Sequence, residues 1–290
     1  MNFGRVLTAM VTPFDHKGNI DFDKTTKLVN FLINNGSDGL VVAGTTGESP
    51  TLSSEEKIAL WKHTVEVADK RVPVIAGSGS NDTHASIELS KKAEQTGVDA
   101  VMLVTPYYNK PNQRGLYEHF KSIANGTNLP VMLYNVPGRS IVSISAETVI
   151  ALSKIPNIVA IKDASRDIES ISEMIESTPD NFHVYGGEDS LTLPICAIGA
   201  AGIVSVSSHV IGNEMQEMLA KFDQGDVEGA AKIHRQLIPI MSEMFRAPSP
   251  TPLKTALQIK GVDVGGVRLP LVPLSPDERK RLVELLNVTV

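Results

Sequence analysis

The sequence predicts an α/β chain, a closed (β/α)8 TIM barrel with a C-terminal helical extension. Three observations carry this. Short apolar, β-branched runs alternate eight times with longer amphipathic charged stretches. Strands separated by helices of that length pair through parallel crossovers. The alternation stops at Gly225, after about 225 residues, which fits one barrel. The barrel is therefore placed at residues 1–224 and the helical extension, packed on it, at 225–290. An open doubly wound sheet is the competing architecture. It rarely needs eight regular repeats and usually carries a phosphate-binding fingerprint, and Gly77-Ser78-Gly79-Ser80 lacks the G-x-G-x-x-G spacing.

Strands are predicted near 4–12, 39–44, 73–77, 100–105, 130–135, 158–162, 183–186 and 203–207. Helices are predicted near 23–35, 53–69, 82–96, 113–125, 145–153, 167–177, 190–199 and 213–223. The first helix shows the period directly, with Leu28, Phe31 and Leu32 following Thr25. Ser53-x-x-Glu56 is a capping box and Asp82 a good N-cap. Past Gly225 three further helices are expected near 226–246, 251–260 and 276–287, the last opened by Ser275-Pro276-Asp277-Glu278. Pro248-Ser249-Pro250-Thr251-Pro252 reads as a rigid connector.

Composition excludes several classes. The 290 residues are 42% hydrophobic and 21% charged, an ordinary globular balance. A net charge of -6 offers no basic field for nucleic acid. No apolar run approaches the about 18 residues of a membrane span, and the N-terminus has no signal-peptide core. The single cysteine, Cys196, lies in an apolar segment and reads as a core thiol, which fits a cytoplasmic protein. The histidines at 16, 63, 84, 119, 183, 209 and 234 lack paired metal-site spacing, and His209 reads as structural. No metal and no cofactor are expected, and no G-x-S-x-G elbow is present.

Active sites of such barrels lie at the carboxyl ends of the strands. Those ends hold Gly44-Thr45-Thr46-Gly47-Glu48-Ser49, Thr105-Pro106-Tyr107-Tyr108-Asn109, Tyr134-Asn135-Val136-Pro137-Gly138-Arg139, Lys162-Asp163, Gly186-Gly187-Glu188-Asp189 and Val204-Ser205. Lys162 is the most informative, because it closes the apolar run Ile158-Val159-Ala160-Ile161. An unperturbed lysine titrates near ~10.4. Burial disfavours the charged form, and a neutral amine can form a Schiff base with a carbonyl substrate. The competing reading is a lysine at a strand end that snorkels into solvent.

Each companion residue also has two readings. Gly44–Gly47 is either a plain turn or a nest-like site for a small carboxylate. Tyr134 is either a core aromatic or a proton relay beside the amine. Arg139 is either a surface ion-pair partner or a bidentate carboxylate clamp. Glu48 and Asp163 read as loop or cap residues without a catalytic role.

Together these motifs closely resemble the dihydrodipicolinate synthase family, within the pyruvate-dependent class I aldolase superfamily. The resemblance runs from Val11-Thr12-Pro13-Phe14 to the C-terminal helices, essentially the whole chain. It implies a lyase in which Lys162 forms an imine with pyruvate. The derived enamine adds to L-aspartate 4-semialdehyde, in diaminopimelate and lysine biosynthesis. It implies Tyr134 as proton shuttle, Thr45 as connecting hydroxyl, and Tyr108 as the link to bulk water, donated across a dimer interface. It further implies Thr46 for the pyruvate carboxylate, Gly187 and Val204 as pocket positions, and Arg139 for the semialdehyde carboxylate. N-acetylneuraminate lyases and 2-keto-3-deoxygluconate-type aldolases share the lysine and tyrosine but typically lack this arginine. A non-catalytic binding protein on the same scaffold is the remaining alternative; it would show loss of Lys162 or Tyr134, and both are present.

The resemblance also implies a homo-oligomer, a tight dimer sharing Tyr108 and a tetramer of two such dimers. Lysine-inhibited members use a glutamate and a histidine at the dimer interface. The matching positions here are Ala85 and Lys57, with Asn81 and Tyr107 retained. Loss of the carboxylate and gain of a like charge predict little or no inhibition by L-lysine.

Overall fold

A computed structural model describes residues 2–289; Met1 and Val290, the outer limits of the two predicted regions, lie outside the described residues. Eight strands run β1 (Val6–Ala9), β2 (Gly39–Val42), β3 (Val74–Gly77), β4 (Ala100–Val104), β5 (Val131–Asn135), β6 (Ile158–Asp163), β7 (His183–Gly186) and β8 (Gly202–Ser205). Each pairs in parallel with its chain neighbour, and β8 closes on β1. The fold is therefore the expected (β/α)8 barrel. Helices α1 (Phe22–Asn34), α2 (Ser54–Ala68), α3 (Thr83–Glu94) and α4 (Gln113–Ala124) cover the first half. The short α5 (Pro137–Ser140) is followed by α6 (Ala146–Leu152), α7 (Ile168–Ser177), α8 (Thr192–Ala197) and α9 (Ser208–Asp223). Then α10 (Val227–Glu243), α11 (Thr251–Ile259) and α12 (Pro276–Thr289) form the extension, α10 and α11 both packing on α9 and α12.

The side-chain period of a strand sorts residues into two cores. Val131, Leu133 and Ile161 face the helices, in the larger cluster with Trp61 and Phe120. Met132, Tyr134, Ala160, Tyr185 and Val204 fill the barrel interior. Lys162 stands two residues beyond Ala160 on the same strand, so the pleat aims it into the barrel as well. Helix starts follow the polar signals: Ser53 makes the full capping box with Glu56, and Asp21, Asp82, Asn112, Ser145, Asp167 and Asp226 accept from first-turn amides. Such a cap contributes about 1 kcal/mol. Cys196 is buried, which pushes its thiol up to about 11 and leaves it inert at neutral pH.

Most boundaries fall within a few residues of expectation; two differ more, and one helix is new. The run 4–12 yields only β1: Met10 still donates to the Val41 carbonyl, but the Val11 N–H turns to His209 and leaves the ladder, although both residues stay buried. The helix expected at 213 begins at Ser208; Ile211 interrupts it with φ -134 and ψ 32, and the helical period is readable only past that kink. The short α5 was not expected, and it carries Arg139.

Candidate active site

The carboxyl ends of β2 to β5 open into a cavity of about 370 Å³. Gly44 and Thr45 line it from the β2 turn, Tyr134 from β5 and Arg139 from α5, with Lys57 and Tyr107 on the outer wall. The β2 turn needs unusual backbone, with Ala43 at φ 56 and Glu48 at φ 59. Gly77 makes room for it: a β-carbon there would stand 2.5 Å from the Ala43 carbonyl oxygen. The indole of Trp61 donates to the Val42 carbonyl at 3.2 Å and fixes α2 beneath the turn.

Lys162 is 5% exposed and is the register partner of Tyr134 on the adjacent strand. Its nitrogen stands 4.3 Å from the centroid of the Tyr134 ring. Among the described residues that nitrogen makes no ion pair and no hydrogen bond. Gly187 lies against the lysine stem, where a β-carbon would approach Cε to 2.9 Å. Val204 is packed in the interior cluster with Tyr134. The hydroxyls of Tyr134, Thr45 and Thr46 also make no hydrogen bond within the described chain. Thr46 is buried under the turn.

The charge of this mouth opposes that of the whole protein. Lys57 and Arg139 are the charged residues lining the cavity, although the net charge of the chain is -6. Burial pushes the Lys57 ammonium below the usual lysine range. A cationic, partly apolar pocket favours small acidic molecules. Among the described residues no group of three or more histidine, cysteine, aspartate or glutamate side chains could hold a metal ion.

The structure thus brings Lys162, Tyr134, Gly187 and Val204 together, and places Thr45 and Arg139 on the same cavity as Tyr134. It does not bring Tyr108 into its own chain's cavity. That ring is 90% exposed, on a backbone at φ 74 that a bulky residue rarely adopts.

Glu48 and Asp163, read from the sequence as loop or cap residues, prove to be buried anchors, and Asp189 joins them. Asp163 accepts from Asn135 Nδ2 at 2.8 Å and from the Ser165 amide at 2.8 Å, while its carbonyl accepts from the Gly187 amide at 2.6 Å. Asp189, beyond β7, accepts from the Val206 and Ser207 amides at the end of β8, and its burial raises its carboxyl. Glu48 pairs with Lys254 of α11 at 2.6 Å, both side chains nearly inaccessible. The signal for Glu48 lay in α11, where Lys254 sits among buried Leu253, Ala256 and Leu257 and needs an anion. His209 is structural: Val11 N–H donates to Nε2, so Nδ1–H donates to the Val206 carbonyl at 2.8 Å.

Residues 2–289 match the model of the dihydrodipicolinate synthetase family. The chain belongs to that family. Membership makes it a lyase of the class I aldolase type. It is 62% identical over 288 residues to the 4-hydroxy-tetrahydrodipicolinate synthase of Bacillus subtilis, covering 99% of each chain. The crystal structure of a dihydrodipicolinate synthase from Bacillus anthracis is 65% identical and superposes with a TM-score of 0.98, covering 99% of this chain and 98% of that one. A family structure from Acinetobacter baumannii, complexed with pyruvate, is 39% identical with a TM-score of 0.95, covering 100% of each chain.

Proposed function

We propose that the chain condenses pyruvate with L-aspartate 4-semialdehyde, a step of diaminopimelate and lysine biosynthesis in the cytoplasm. The observation that carries this reading is the unpaired Lys162 amine, buried over the Tyr134 ring beside a cavity whose lining charges are cationic. The amine attacks the keto carbon of pyruvate, and loss of water gives an imine. Loss of a methyl proton gives the enamine, whose carbon adds to the aldehyde. The amine of the semialdehyde then displaces Lys162 and closes the ring. Tyr134 moves the protons at the lysine, with Thr45 connecting it to Tyr108 of a second copy. Thr46 holds the pyruvate carboxylate, Gly187 and Val204 shape the pocket around it, and Arg139 clamps the carboxylate of the acceptor.

Support for a shared site comes from Tyr108, whose exposed, left-handed placement suits a residue offered to a neighbour. The proposed assembly is a tight dimer, two of which form a tetramer. Lys57 and Ala85 support insensitivity to L-lysine: an ammonium lines the wall, and no carboxylate stands at position 85. The decisive experiment is a coupled assay with both substrates, with and without lysine, together with borohydride trapping of pyruvate. Turnover, an adduct on Lys162 and no inhibition at millimolar lysine are expected. No adduct on Lys162 would sink the reading, and inhibition at sub-millimolar lysine would sink the effector claim.

A further inference from the structure

Glu48 carries a charge into a place with almost no water. Lys254 meets its Oε1 at 2.6 Å, and the backbone N–H of Arg268 donates to Oε2 at 2.9 Å. Lys254 also donates to the Gly266 carbonyl at 2.7 Å, and its nitrogen stands 4.2 Å over the Phe14 ring. The Arg268 guanidinium lies over the same ring, 4.4 Å from its centroid. From there it donates to the carbonyls of Gly18 and Thr51 and forms a bidentate pair with Glu56. The extension therefore grips the β2 turn at Glu48 and Thr51, where the chain leaves it for α2.

Inside the turn, Glu48 is the node. Its amide donates to the Thr45 carbonyl at 3.1 Å, and its carbonyl accepts from the Thr51 amide at 3.0 Å. One residue earlier, Thr12 Oγ1 donates to the Gly47 carbonyl at 2.6 Å. A buried ion pair gives little net stability compared with apolar residues of the same volume. Fixing the carboxylate from two sides does fix the backbone that presents Thr45 and Thr46.

We propose that Lys254 and Arg268 are positioning residues for the Thr45–Thr46 turn, Lys254 acting through the Glu48 carboxylate and the Arg268 side chain through Thr51, whose amide donates to the Glu48 carbonyl. This rests on the Schiff-base reading above, and the test separates the two. Pyruvate KM, kcat and borohydride trapping are measured for the wild type, Lys254→Met, the isosteric Glu48→Gln, Arg268→Ala and Arg268→Lys. The expected result is a rise of about tenfold or more in pyruvate KM for the first three. Trapping on Lys162 at saturating pyruvate is retained, because the lysine lies on a different strand. Arg268→Lys, which keeps a cation facing Glu56 and Phe14, recovers most of the wild-type KM. Glu48→Gln keeps the side-chain volume and carries the test if Lys254→Met does not fold.

A second readout is the pH dependence of pyruvate KM. Burial holds the Lys254 ammonium down at about 8, with Glu48 opposing that shift and Arg268 adding to it; Glu56 and Asp15 face Arg268. Wild-type KM is expected to rise above pH 8 as Lys254 discharges, and Lys254→Met to lose that rise. Wild-type trapping with unchanged pyruvate KM in folded Glu48→Gln and Arg268→Ala overturns the positioning alone. No trapping in the wild type removes the reading beneath it as well.

Discussion

Tyr134 and Lys162 are register partners on adjacent strands, and the lysine nitrogen stands 4.3 Å from the centre of the phenol ring. Register partners on neighbouring parallel strands point to the same face of the sheet, here the barrel interior. Amine and phenol are thus held by the sheet, while Thr46 and Arg139, expected to hold the substrate carboxylates, sit on the β2 turn and on α5.

Tyr134→Phe removes only the hydroxyl, and the ring stays packed with Met132 and Val204. Turnover in the coupled assay is expected to fall by about two to four orders of magnitude, the usual weight of acid–base catalysis. Thermal stability should change little, because the hydroxyl makes no hydrogen bond within the described chain. An unaltered kcat would remove the phenol from the proton path.

Arg139→Ala is expected to lower kcat/KM for the semialdehyde by roughly 10–150-fold, the loss of a charged hydrogen bond of about 1.5–3 kcal/mol. Capture of pyruvate by Lys162 should be much less affected. Equal losses for both substrates would place the guanidinium elsewhere in the reaction.

The proposed mechanism puts Tyr108 of one copy and Lys162 of another in a single site, and it predicts that defective subunits complement each other. Tyr108→Ala and Lys162→Ala are each expected to be nearly inactive. Mixed and reassociated in equal amounts, they should recover about a quarter of wild-type activity, since half the dimers are mixed and each has one intact site. No recovery in verified mixed dimers would place Tyr108 outside the reaction.

Acid stability tests the buried His209, which burial holds down at about 4 against an ordinary 6.5. The unfolded chain binds the proton first as pH falls. Stability from this group is therefore complete above pH 6.5, is lost as pH drops toward 4, and levels off below. The loss amounts to about 3 kcal/mol. His119, also held at about 4 by burial, acts in the same direction, while the raised carboxyl of Asp189 opposes it. The isolated effect is read from urea midpoints of wild type against His209→Gln between pH 7 and 4. Parallel curves would show that His209 does not titrate in that window.

Much of the barrel was legible because strand and helix periods are local properties. The run Ile158–Ile161 announced β6, and Ser53-x-x-Glu56 announced the start of α2. The start of α9 was hidden because Ile211 breaks the helical period. The short α5 has only Pro137 as a local mark. Among candidate site residues, Lys162 stood out because an ammonium ends an apolar strand. Glu48 and Asp163 did not, since a carboxylate in a turn resembles any cap until its partners are known.

By itself the sequence determined the order and type of the elements, and the residue types standing at each strand end. Those follow from periodicity and from which side chains tolerate burial. Only the tertiary structure decided which of those residues meet. Pairing of β5 with β6 sets Lys162 beside Tyr134, and the return of the extension sets Lys254 against Glu48, more than 200 positions away in the chain. Such pairings depend on how separate segments pack against one another, whereas periodicity reports only on the segment that carries it.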